Sequence, residues 1–79
     1  MTIYRKPACG LCDQAEATLA RIAKRLPLRI TEVNIESDAS LFARYGEHIP
    51  VIAVGGHEVA RAPISEATLE ATLKEVSLA

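Results

Sequence analysis

Along this chain the spacing of apolar residues switches several times between a period of about two and one of about 3.6, and each switch marks an element. Thr2 to Tyr4 is a short strand signal, ended by Pro7, which holds Lys6 toward an extended conformation. From Leu11 the period becomes helical. Leu11, Ala15, Leu19, Ile22 and Leu26 form one stripe of an amphipathic helix that Pro27 stops. Asp13 and Glu16 lie in its early turns and Arg21, Lys24 and Arg25 in its late ones, both favourable to the helix dipole. Leu28 to Ile35 reads as a second strand. Its apolar residues change phase between Ile30 and Val33, which predicts burial on both faces or a bulge. Ser37 is placed to cap a short helix carrying Leu41, Phe42 and Tyr45, closed by Gly46. Val51 to Val54 is a buried-type strand, Gly55-Gly56 a hairpin turn, and His57 to Ala60 the return strand. Ser65 is placed to cap a last helix, with Ile64 and Leu69 as a hydrophobic staple and Leu69, Leu73 and Val76 as its inner stripe.

The resulting order is β-α-β-α-β-β-α. Its opening predicts a parallel strand pair with a right-handed crossover, and the late hairpin adds an antiparallel pair. An α/β fold follows: a four-stranded mixed sheet with helices on both faces. No repeat, low-complexity segment or linker divides the chain, so residues 1–79 are expected to form a single domain.

Composition narrows the function. Hydrophobic residues make up 49% of the chain, enough for a packed core without disulfide staples. A formal charge of −1 leaves no basic footprint, and one Phe, two Tyr and no Trp offer few stacking platforms, so nucleic acid is not an expected partner. No apolar stretch approaches the roughly 18 residues of a membrane span. Met1 to Pro7 carries charge where a signal peptide needs its apolar middle, so a cytoplasmic location is expected.

Cys9 and Cys12 are the two cysteines, too few for a secreted disulfide scaffold and too close in sequence to restrain the unfolded chain much. Their placement is more informative than the Cys-x-x-Cys pattern alone. A helix starting at Cys9 exposes its sulfur beside unpaired backbone N–H groups, which favour the thiolate. Cys12 lies one turn on and slightly inward, within reach. Arg5 and Lys6 upstream add positive charge or attract an anionic thiol, whereas Asp13 and Glu16 act in the opposite sense. Helix start and two cations are expected to outweigh two solvated carboxylates. The pattern predicts a redox-active dithiol, with Cys9 attacking a disulfide and Cys12 resolving the mixed intermediate. A closed zinc site needs four ligands, and His48 and His57 have no ligand-like spacing to the cysteines, so no metal site within one chain is expected. Two inert buried cysteines would leave their position at a helix start unexplained.

At this point the chain resembles the glutaredoxin branch of the thioredoxin-like proteins over essentially its whole length. Tyr4-Arg5-Lys6-Pro7-Ala8-Cys9-Gly10-Leu11-Cys12 is similar to the glutaredoxin opening, and His48-Ile49-Pro50-Val51 to the family's Thr-Val-Pro segment. More narrowly, Cys-Gly-Leu-Cys-Asp, Tyr45-Gly46 and Ile49-Pro50-Val51 resemble a set of short bacterial glutaredoxin-like proteins. The resemblance implies a cis Pro50 packed beside Cys9, with the Ile49 main chain offered to the incoming thiol. It departs from the family in three places. Cys-Pro-Tyr-Cys becomes Cys9-Gly10-Leu11-Cys12, the aromatic residue often preceding the first Cys is Ala8, and the Gly-Gly-Ser/Cys-Asp stretch that holds glutathione becomes Arg61-Ala62-Pro63-Ile64-Ser65-Glu66. Ser65 and Glu66 at a helix start replace that stretch only in part, which weakens the case for glutathione while leaving disulfide exchange intact.

The expected activity is that of a glutaredoxin-like disulfide oxidoreductase, an electron-transport protein acting as a monomer on protein or glutathione disulfides. It would hold no bound cofactor, use glutathione as a co-substrate, and be recycled by glutathione or thioredoxin reductase. The expected substrate-binding residues are Lys6, Ile49, Pro50 and Ser65. Lys6 either binds a glutathione carboxylate or solvates the surface beside the site. His48 either tunes Cys9 or is an ordinary solvated loop histidine. An alternative function is an iron–sulfur or metal-handling module that uses Cys9 with glutathione across a dimer, since a cluster needs four thiolate ligands.

Overall fold

The computed structural model describes residues 1–78 of the chain, with side chains described through residue 75. Strand β1 (Thr2–Arg5) runs parallel to β2 (Thr31–Asn34) and antiparallel to β3 (Val51–Val54), and β4 (His57–Arg61) pairs with the far side of β3. The sheet order is β2-β1-β3-β4. Helix α1 (Gly10–Ala23) connects the two parallel strands, α2 (Ala39–Tyr45) precedes β3, and α3 (Glu66–Leu78) follows β4. Gly55 and Gly56 turn the hairpin with φ of 59° and 82°, a left-handed pair that matches the strand twist and that glycine adopts without a Cβ clash.

The two faces of the sheet are sorted by the period of two. Ile3 lies opposite Ile52, and Tyr4 opposite Val51, so adjacent pairs face opposite layers. Ile3 and Ile52 are buried with Leu19 and Ile22 of α1 and Leu69 and Leu73 of α3. On the other face Val51 packs with Ile35 and Tyr45, and the Tyr4 ring stacks on Tyr45 at 4.6 Å between centroids. Helices therefore cover both faces of a mixed sheet, as the element order predicts. No described helix is long and apolar enough to cross a membrane.

Several local expectations are corrected. Helix α1 ends at Ala23, short of Pro27, and its buried stripe is Cys12, Ala15, Thr18, Leu19 and Ile22. Leu11 is 55% exposed. Both stripes obey helical spacing, and the hydropathy of Leu11 does not decide which one faces the sheet. Strand β2 is four residues long and lies at the sheet edge with only Val33 partly covered, so neither two-sided burial nor a bulge explains its phase change. Among the described residues the register shift lies in β3–β4, between Ile52 and Ala53. Asp38, not Ser37, caps α2, its carboxylate accepting from the Ser40 and Leu41 amides at 2.8 and 3.3 Å. Ser37 instead closes a 3-10 turn capped by Asn34.

Gly46 does end α2, but with a right-handed φ of −54°. Glycine is needed there because a Cβ would come within 2.6 Å of the Phe42 carbonyl oxygen. Phe42 is 50% exposed rather than inward. Ser65 caps α3, accepting from the Thr68 amide at 3.5 Å, and Ile64 packs on the cluster that holds Leu69, as the staple predicts. The expected contribution of Val76 lies outside the described side chains.

Candidate functional site

The chain leaves β1 at Arg5, passes Lys6 and Pro7, and turns at Ala8, whose φ of 55° is left-handed for a residue with a Cβ. Such a conformation costs about 1 kcal/mol, and here it precedes the residue that caps α1. That residue is Cys9. Its extended backbone leaves its sulfur to accept the Cys12 amide N–H at 3.1 Å. Cys9 is half-buried at the helix mouth, whereas Cys12 is fully buried, one turn on and facing the core. Their Cα atoms are 5.2 Å apart and the sulfurs are joined as a disulfide. The pair is thus asymmetric in burial, with one residue half-buried and the other closed off.

The surrounding charges differ from the expected balance. Arg5 does not lend its charge to Cys9 alone. Its guanidinium binds Asp13 at 2.9 Å and also Glu16, and donates to the Lys6 carbonyl at 3.4 Å. Side chains eight and eleven residues apart give no local sequence signal for this pairing. Glu16 is held there rather than solvated, and of the two cations upstream of Cys9 it is Lys6 that makes no ion pair among the described residues.

The other expected site residues fall in different places. The Ile49–Pro50 bond is cis, as the resemblance implies. Pro50 is buried and its carbonyl accepts the Ala62 amide at 3.2 Å, while Ile49 packs half-buried against the Tyr45 cluster. Pro50 and Leu11 line one cleft of about 140 Å³, whose other walls include Gln14, Thr18, Pro63 and Ile64. The Ala62–Pro63 bond, also cis, was not expected from the sequence. Ser65 opens instead on a neighbouring groove with Val59, Thr68 and Thr72. Glu66 is engaged on α1, binding Arg21 at 2.7 Å and Arg25 at 3.0 Å, and hydrogen bonds from Arg21 and then Arg25 hold its carboxyl below the usual range. His48 is exposed beside Phe42, Arg44 and Glu47. Among the described residues no group of three or more His, Cys, Asp or Glu side chains gathers to hold a metal ion.

A mixed sheet in the order β2-β1-β3-β4, with a Cys-x-x-Cys pair at the mouth of the first helix and a cis proline before β3, defines a thioredoxin-like protein. Residues 1–74 match the family described as Glutaredoxin-like domain (DUF836), and the chain belongs to that family. It is similar to the X-ray structure of Northeast Structural Genomics target protein XcR50 from X. campestris. That likeness has a TM-score of 0.82 at 33% identity, covering 94% of this chain and 95% of that one. A structure described as that of a malarial protein shares the fold at a TM-score of 0.64 and 16% identity, covering 94% and 91% of the two chains.

Proposed function

We propose that this protein is a thiol–disulfide oxidoreductase that reduces protein or glutathione disulfides, with Cys9 as the attacking thiolate and Cys12 as the resolving thiol. The observation that carries the reading is a half-buried Cys9 whose sulfur caps α1, paired with a fully buried Cys12. In the reduced protein a thiolate at Cys9 faces the free amides of the first helical turn, whose partial positive charge favours it. Attack on a substrate disulfide forms a Cys9–substrate bond, breaks the substrate S–S bond, and releases one thiolate. The Cys12 thiolate then attacks the Cys9 sulfur. This forms the Cys9–Cys12 disulfide and releases the second substrate thiolate. Two electrons and two protons from glutathione, or from thioredoxin reductase, restore the dithiol.

Burial of Cys12 supports the division of labour, since a sealed sulfur meets its neighbour before it meets a second substrate. A single-domain, monomeric electron carrier in the cytoplasm fits this reading. Within it, Lys6 and the Ile49–Pro50 main chain receive the substrate beside Cys9, and Ser65 contributes from the start of α3.

Turnover of a disulfide substrate with glutathione or thioredoxin reductase as electron source tests the proposal. Cys9→Ser is expected to abolish turnover, and Cys12→Ser to accumulate a covalent adduct visible by mass spectrometry under non-reducing conditions. Full activity in Cys9→Ser would remove the proposal.

A further inference from the structure

We infer that the site selects protein disulfides in which an apolar side chain flanks the reacting cysteine, and that Leu11 with the cleft behind it determines this specificity. The inference rests on the thiol-exchange reading above. A single exposed leucine is ordinary on a protein surface. Leu11 is less ordinary because it lies between the two cysteines and forms the rim of a cleft shared with Pro50, Pro63 and Ile64. The cleft measures about 140 Å³. A cavity of about 150 Å³ accepts a benzene-sized group, so one Leu, Met or Phe side chain is the matching occupant.

Charge argues for the same occupant. None of the side chains lining the cleft is charged. The arginines of α1, the turn after it and the strands are turned to carboxylates: Arg5 to Asp13 and Glu16, Arg21 and Arg25 to Glu66 and Glu70, and Arg61 to Glu58. Glutathione carries two carboxylates and one ammonium. Seating it in this cleft would strip water from charged groups without supplying a partner. An apolar side chain of a protein substrate loses nothing by entering, and its backbone would run past Pro50 toward Cys9.

The test compares matched mixed disulfides of thionitrobenzoate reacting with the Cys12→Ser protein. Three are short peptides with Leu, Ser or Glu beside the cysteine, and the fourth is glutathione. In each, the Cys9 thiolate bonds to the peptide or glutathione sulfur. The old S–S bond breaks, and its electron pair leaves on the yellow thionitrobenzoate anion. The Leu peptide is expected to react at least about tenfold faster than the Glu peptide and glutathione, the discrimination an apolar pocket supplies. Gln14→Lys in the same background, which places a cation in the cleft at an exposed helical position, is expected to narrow that ratio. Similar rates for all four, or glutathione fastest, would overturn the specificity while leaving exchange intact. An unchanged ratio in Gln14→Lys would equally move the determinant away from the cleft. Absence of release from every substrate would sink the exchange reading itself.

Discussion

Arg5 ties the end of β1 to the first two turns of α1 through Asp13 and Glu16, next to the segment that carries Cys9. Asp13 also donates its backbone N–H to the Cys9 carbonyl at 3.0 Å, so its carboxylate stands on the Cys9 side of the helix. With Arg5 present, the two negative charges are neutralised in part by a guanidinium 17% exposed. Arg5→Gln would leave both carboxylates uncompensated beside a developing thiolate, and like charge disfavours ionisation. The midpoint of Cys9 alkylation against pH is expected to rise, slowing the reaction near neutrality. Removing the carboxylates as well, in Arg5→Gln/Asp13→Asn/Glu16→Gln, should bring the midpoint back. A midpoint unmoved by Arg5→Gln would show that the pairing is structural only.

At the scale of elements, the helix ends are set by close contacts more than by composition. The Gly46 N–H donates to the Phe42 carbonyl at 2.8 Å, and a Cβ at position 46 would crowd that same oxygen. Gly46→Ala must therefore open the last turn of α2 or lose the bond, at a cost of about 1–3 kcal/mol. A fall in the urea midpoint with an unchanged slope is the expected result, and an unaltered midpoint would refute it. The helical phase of α1 illustrates a different limit. Leu11 and Cys12 are adjacent, either can begin a stripe through Ala15, Leu19 and Ile22, and the more polarisable, smaller residue is the one that packs inward.

Across the whole molecule, α1 and the turn after it are bound to α3 by Arg21 and Arg25 on one side and Glu66 and Glu70 on the other, outside the apolar layer they flank. Hydrogen bonds from Arg21 and Arg25 depress the Glu66 carboxyl, and those from Arg25 depress Glu70, below the ordinary value of 4.5. A carboxyl whose pKa is lower folded than unfolded stabilises fully above the unfolded value, and the contribution disappears as pH falls through the folded one. Stability is therefore expected to be flat from neutrality down to about pH 5 and to decline below it. Arg25→Gln should flatten that acid limb in urea titrations, and added salt should weaken the parent's advantage because these groups face solvent. An acid limb identical in the two proteins would show that the helix pair is held by Leu19, Ile22, Leu69 and Leu73 alone.

Element order, the hairpin at Gly55-Gly56, the Ser65 cap with its staple, and the cysteine pair at a helix start were all legible in the sequence, because each rests on neighbours within a few residues. The cis bond at Pro50 was legible only through resemblance, and the one at Pro63 not at all. Which helical stripe faces the sheet, which carboxylates take Arg5, and how Leu11 comes to rim a cleft with Pro50 and Ile64 depend on segments far apart in the chain. Those choices are made when α1 docks on the sheet. Only then does burial decide between two equally periodic faces, and only then do charges eight to eleven residues apart come within bonding distance.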